Sequence, residues 1–453
     1  MNLWHKRTLE SVNEFNESYK DFLYNSKTER LCIKEAIKIA KANGYQDLDV
    51  LIDNNTKLNP GDLVYKVNKH KNIILFNIGK TNIEEGINMV GAHVDSPRLD
   101  IKQNPLYEID DQVLLKTHYY GGVKKYQWLT RPLSIVGVIC KTDGSTIDIK
   151  IGEDDNDPVV GISDLLPHLA KDQMQKSASE FVDGESLNIL VGSKPLIDSD
   201  KKQFKSYILK VLKDKYNILE KDFISSELSL VPSDKVRDYG LDSSMILGYG
   251  HDDRVCAYTA LMALIDSKIV DKTTCCILVD KEEVGSNGAT GMHSNFFINT
   301  LSEIINLTTN FNQLILNRTL SNSNVLSSDV CAAYDPNFPG VYEKNNSAYM
   351  GKGICILKYS GVRGKAGCND ANAEMIAKVR RIFQENDIVY QTSELGKVDQ
   401  GGGGTIAFVL ANLNMNVLDA GVAILNMHAP LEVASKIDIY ETYRAYLTFF
   451  EKM

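Results

Sequence analysis

Apolar positions recur along the chain at two periods, and the period changes several times. Residues 29–43, opening Glu29-Arg30-Leu31-Cys32-Ile33, repeat apolar side chains at helical spacing and stop at Gly44, which predicts a helix with an ordinary C-terminal signal. Strand-like runs follow at 63–67 and 73–76, separated by a polar turn. Residues 87–92 read as a buried strand that ends at His93. From about 100 to 240 the texture changes. Alternating runs at 133–138 and 146–151 flank an Asp143-Gly144 turn, and a charged helical stretch comes after them. Beyond Tyr249-Gly250 the alternation of helix and strand resumes. The pattern predicts a helix over 253–266, a buried strand over 274–279, a helix after Gly404, a strand near 417–425 and a long amphipathic helix over 434–450.

Strands mixed with helices on both sides of a β-rich block predict an α/β protein. Its catalytic domain, a doubly wound mixed sheet, is interrupted by a second domain. The expected boundaries are 1–99 and 241–453 for the two parts of the first domain, with 100–240 as the insertion.

Composition narrows the function classes. Fifty Lys+Arg against 59 Asp+Glu leaves a net charge of −9, which excludes a nucleic-acid groove lined with positive charge. The longest apolar run, 255–265, falls far short of the ~20 residues a membrane span requires. The first residues carry no apolar core behind their basic side chains, so no secretory signal is expected. A cytoplasmic protein with no membrane partner is the expectation. Eight cysteines form no C-x-x-C pair and sit mostly in apolar stretches, as buried reduced thiols do. Any transition-metal site must therefore draw on eight histidines and on carboxylates.

Five segments place histidine or acidic residues after apolar strands: Gly91-Ala92-His93-Val94-Asp95, Gly250-His251-Asp252-Asp253-Arg254, Val279-Asp280-Lys281-Glu282-Glu283, Ser327-Ser328-Asp329 and Met427-His428-Ala429-Pro430. Each has a plain structural explanation when taken alone. Asp252 and Asp253 could cap a helix, Glu282 and Glu283 could form a solvated turn, Asp329 could make an Asx turn, and His428 could be a satisfied core histidine. Their recurrence argues otherwise, because ligand sites in open α/β sheets lie off the carboxyl ends of strands.

A pair of zinc-like ions accounts for the set. Two metals about 3.5–4 Å apart need a bridging carboxylate, which a rigid aspartate at a helix start supplies. Histidine and carboxylate ligands without thiolates leave positions open for water. Of two adjacent glutamates, one can bind metal while its neighbour removes a proton from water. Asp95, two residues after His93, can accept the second ring N–H and fix the imidazole.

In this order the five segments resemble the aspartyl aminopeptidase / aminopeptidase I family of dinuclear zinc exopeptidases, and the similarity covers nearly the whole chain. The resemblance implies a zinc-exopeptidase fold with an inserted dimerisation domain, and a homo-oligomer built from dimers into a dodecamer. It implies two zinc ions, with cobalt or manganese as an alternative at one site, and peptide substrates. Carried over, His93, Asp252 and Asp329 would hold one metal, and Asp252 would bridge to a second held by Glu283 and His428. Glu282 would be the general base and Asp95 the orienting acid. His168, in Leu165-Leu166-Pro167-His168-Leu169, resembles a histidine that reaches a neighbouring subunit's site, and Lys358 lies near the family's substrate-binding lysine.

Two departures bear on preference for acidic N-terminal residues. Ala332 stands where aspartyl-specific members have histidine, and Lys358 aligns only after a one-residue shift. The Gly401–Gly404 run lacks the Gly-Lys-Ser/Thr ending of a phosphate loop, so it reads instead as backbone that lets substrate approach closely. The expected activity is release of N-terminal residues. The rivals are a dinuclear deacylase or carboxypeptidase, and a metal-binding scaffold particle without turnover.

Overall fold

The strand Thr274–Val279 reads Thr-Cys-Cys-Ile-Leu-Val without polar alternation, because both of its faces are covered. In the computed structural model, which describes residues 3–197, 202–267 and 270–453, it lies inside a nine-stranded mixed sheet. From one edge the order is Gln46–Asp47, Leu63–Asn68, Asn72–Asn77, Thr274–Val279, Asn88–His93, Asn324–Ser327, Asn416–Gly421, Ile354–Leu357 and Tyr390–Thr392. The four strands from Thr274–Val279 to Asn416–Gly421 run parallel to one another.

Alternate residues of these strands enter different cores. Ile73, Leu75, Val90, Ala92, Cys276 and Leu278 pack with Tyr19, Val255, Leu261 and Tyr446 from helices on one face. Ile74, Phe76, Met89, Cys275, Ile277 and Val325 pack with Leu301, Ile304 and Leu410 on the other. This period-two division is what a pleated strand imposes when helices cover both sides.

The chain divides into two units. The first comprises residues 1–95, 236–427 and 432–453, and the second residues 96–235 and 428–431. The first unit also carries a five-stranded sheet ordered Arg237–Tyr239, Met245–Gly248, Glu432–Ser435, Ala423–Leu425 and Cys331–Ala332. The second is built on a six-stranded antiparallel sheet that contains Arg98–Ile109, Gln112–Tyr120, Leu133–Cys140, Thr146–Ile151, Ile189–Gly192 and Ser226–Pro232. Its first hairpin turns through Asp110 and Asp111, both at positive φ (46° and 62°), the twist that two-residue hairpin loops favour.

The final helix spans Lys436–Lys452 and so begins two residues later than its pattern predicts. Ala434 and Ser435 belong instead to a strand paired antiparallel with Met245–Gly248. The helix after Gly404 is one short piece, Ala407–Ala411, because the chain turns at Asn414 (φ 66°) into the next strand. Helices Leu9–Asn25, Phe296–Thr308, Gln313–Ser321 and Ala373–Glu385 were not read from the pattern. Among the described residues, no helix is long and apolar enough to cross a membrane.

Candidate metal centre

Register assembles the site. Val279 is level with His93 across one strand pair, and Ser327 is level with Gly91 across the next. The residues just beyond Val279 and Ser327 therefore emerge at the same end of the sheet as His93. Asp329, two residues past Ser327, and the turn Glu282–Val284 occupy this end.

His93 is the last residue of its strand and is 2% exposed. Its Nδ1 lies 3.0 Å from the backbone carbonyl of Asp95 and 3.3 Å from that residue's carboxylate. Both are acceptors, so Nδ1 donates to them, which would leave Nε2 to a metal ion. Nε2 lies 3.2 Å from Asp252 and 3.9 Å from Asp329. The ligand atoms of His93, Asp252 and Asp329 all lie within 4.8 Å of one another, as do those of Asp252, Glu283 and His428. Asp252 belongs to both sets, and Glu282 to neither.

The carboxylate of the fully buried Asp95 has a second task. It accepts the backbone N–H groups of Glu282 and Glu283, at 3.1 and 3.2 Å. One aspartate thus holds both the His93 ring and the turn that bears the two glutamates. Lys281 at the start of that turn has φ 69° and Gly285 at its end has φ 90°.

Other buried acids hold the backbone of the candidate ligands. Asp253 accepts the N–H of His93 at 3.2 Å, and Glu432 accepts the N–H of Asp252 at 3.0 Å. A cis peptide joins Asp252 to Asp253. His251, despite its place in the motif, points into the core. Its Nε2 donates to the Ile246 carbonyl at 3.2 Å and its Nδ1 accepts from the Tyr19 hydroxyl at 2.7 Å. Burial pushes its pKa down to about 3, so it stays neutral.

Charge is crowded here. Burial and the neighbouring Asp253 push Asp329 well above the ordinary carboxylate value. Burial opposes a charge on His93, and the carboxylates of Asp252 and Asp95 outweigh it, so its pKa is held well above 6.5. Acids packed this closely are what a bound divalent cation relieves.

His428 enters the second set, whereas Lys358 and His168 enter neither. His428, at φ 65°, directs Nδ1 to the carbonyl of Gly122 at 3.0 Å. A methyl group at position 122 would stand 3.1 Å from that nitrogen. Lys358 is exposed just beyond strand Ile354–Leu357 and enters neither set. His168 is exposed on the short turn Pro167–Leu169 of the second unit.

Residues 22–450 match the aminopeptidase I zinc metalloprotease family, M18. The chain belongs to that family. It is 55% identical over 452 residues to a probable M18 family aminopeptidase 1 of Clostridium acetobutylicum, covering 99% of this chain and 97% of that protein. Crystal structures of the M18 aminopeptidase of Thermotoga maritima and of aminopeptidase I of Clostridium acetobutylicum superpose with TM-scores of 0.96 and 0.91. Their sequence identities are 43% and 51%, and each match covers 100% of this chain and 99% of the other. The donors of this M18 chain, imidazoles and carboxylates with no thiolate, suit a hydrolytic zinc site.

Sequence reasoning missed Asp253, Arg254 and Glu432 as side chains that hold the backbone beside the candidate ligands. Their signal was a charge inside an apolar stretch: Asp253-Arg254 ahead of Val255-Cys256-Ala257, and Glu432 ahead of Val433-Ala434. All three are at most 1% exposed.

Proposed function

We propose that this M18 zinc aminopeptidase uses two zinc ions to release single residues from the N-termini of peptides. The observation that carries the reading is the sharing of Asp252 between two three-residue ligand sets. His93, Asp252 and Asp329 would hold one ion, and Asp252, Glu283 and His428 the other. Bound zinc supplies Lewis acidity at the scissile carbonyl and lowers the pKa of water.

The protein's own groups do the rest. Glu282, beside the ligand Glu283 but outside both sets, takes a proton from the attacking water and passes it to the departing amine. Asp95 fixes the His93 tautomer and holds the backbone of Glu282, so the base and the ligands share one anchor. Selectivity for an acidic first residue would need a cation at the substrate side chain. Lys358 is our candidate for it, while Ala332 offers no polar group.

We assign the second unit to dimerisation and the assembled particle to a homo-oligomer, a dodecamer built from dimers. Support comes from exposed apolar side chains on the second unit: Val159, Leu165, Leu166, Leu169 and Met174. Eight free thiols, six of them buried, fit a reducing cytoplasm.

The deciding experiment follows residue release from Asp-, Glu-, Leu- and Lys-initiated peptides, with and without chelator, and from N-acetylated counterparts. Chelator-sensitive release confined to free amines is expected, and the fastest peptide reports on Lys358. Cleavage of the acetylated peptides would favour a deacylase, and absence of release from zinc-loaded protein would favour a scaffold.

A further inference from the structure

Between His93 and Asp95 lies Val94, whose two peptide groups set the directions of both neighbouring side chains. In an extended segment, residues i and i+2 project to the same side, so any rotation at Val94 would part the imidazole from the carboxylate. Both ends of Val94 are held. Its N–H donates to the Val279 carbonyl at 2.8 Å, which ties it to the strand that leads into the glutamate turn. Its carbonyl accepts from Nε of Arg254 at 3.2 Å.

Arg254 is 0% exposed. Its Nη2 donates to the Lys27 carbonyl at 3.3 Å, its Cζ lies 5.4 Å from the Tyr249 ring centre, and its Nη1 has no hydrogen-bond partner among the described residues. Burying a guanidinium against carbonyl oxygens is costly, and an apolar side chain would fill the space more cheaply. What the arginine adds is a rigid, forked donor that starts two residues after Asp252 and reaches the segment bearing His93.

We infer that Arg254 is a positioning residue for the metal centre, fixing the Val94 peptide so that the His93 ring and the Asp95 carboxylate meet in the geometry zinc requires. The inference rests on the proposed roles of His93 and Asp95. Asp253 and Arg254 act on the same segment from consecutive positions, one taking the His93 N–H and the other supplying a donor to the Val94 carbonyl. The first turn of helix His251–Asp266 thus locks the strand end into register with Asp252.

The test measures zinc affinity of the full chain by competition with a chromogenic chelator, for wild type, Arg254→Met, Arg254→Lys and His93→Ala. Arg254→Met should weaken zinc binding by about 10–100-fold, the usual effect of losing a group that orients a ligand. It should also lower kcat with KM little changed. Arg254→Lys keeps the charge without the fork and should fall between. Folded Arg254→Met with wild-type zinc affinity and only a lower Tm would make Arg254 a packing residue and overturn the inference. If Arg254→Met does not fold, wild-type affinity in Arg254→Lys overturns it. Undiminished zinc binding by His93→Ala would instead defeat the ligand reading itself.

Discussion

Glu282 and Glu283 are adjacent and half-buried on one turn, yet only Glu283 enters a ligand set. That division predicts separable losses. Glu282→Gln preserves shape and removes basicity, so kcat should fall by about 10²–10⁴-fold, the contribution expected of a general base, with zinc content by elemental analysis unchanged. Turnover at the wild-type rate would remove Glu282 from the mechanism. A second residue prediction concerns Asp438, which is fully buried on the C-terminal helix and accepts the N–H groups of Gly351 and Gly353 at 2.6 and 2.7 Å. Burial raises its pKa from 3.8 to about 7, and nearby Glu441 adds to the rise. A folded value above the unfolded one means that its stabilising contribution is complete below pH 3.8 and is lost as pH rises through about 7. Relative to Asp438→Asn, wild type should therefore lose on the order of 1 kcal/mol per pH unit across that window, read from paired unfolding curves. A pH-independent difference between the two proteins would contradict the assignment.

At the scale of elements, the site exists because parallel strands end together and their loops pack without side chains in the way. Gly421 closes strand Asn416–Gly421, and a methyl group there would fall 1.9 Å from the Asp329 carbonyl oxygen. Gly421→Ala must displace the backbone of Asp329, a proposed ligand, so it should lower zinc occupancy and activity together. A variant with full zinc and full turnover would show that this approach is dispensable. The same packing explains what was legible in the sequence. The segments bearing His93, Asp252, Glu283, Asp329 and His428 could be singled out because each interrupts or follows an apolar strand, while the choice of these five as candidate ligands came from the family resemblance. Asp253 and Glu432 could not be assigned their tasks, because each bonds a backbone N–H 160 or 180 residues away. Hydrophobic spacing carries no record of such partners. The change of texture after about residue 100 was visible because antiparallel strands alternate. Helix Leu9–Asn25 was not, since its buried face includes Asn16, which breaks the apolar stripe and donates instead to the backbone carbonyls of Val12 and Lys436.

At the scale of the whole molecule, the second unit presents more apolar surface than a lone chain needs. Leu169 is 68% exposed and Met174 70%, with Leu165 and Leu166 near them in sequence. Exposed leucines clustered beside a histidine are the pattern of a surface that another protein covers. If a second copy covers it, charges placed there must leave water and go unpaired, so Leu166→Asp with Leu169→Asp should dissociate the oligomer in sedimentation velocity. The effect on catalysis then separates two roles for the interface. His168 stands between these leucines, is exposed, and belongs to neither ligand set of its own chain. If it completes a neighbour's site, the dissociated variant should bind zinc normally yet turn over slowly, and His168→Ala should reproduce the slow turnover in an intact oligomer. Full activity of the dissociated protein would confine the interface to assembly. A wild-type protein that sediments as a monomer at all concentrations would remove both roles.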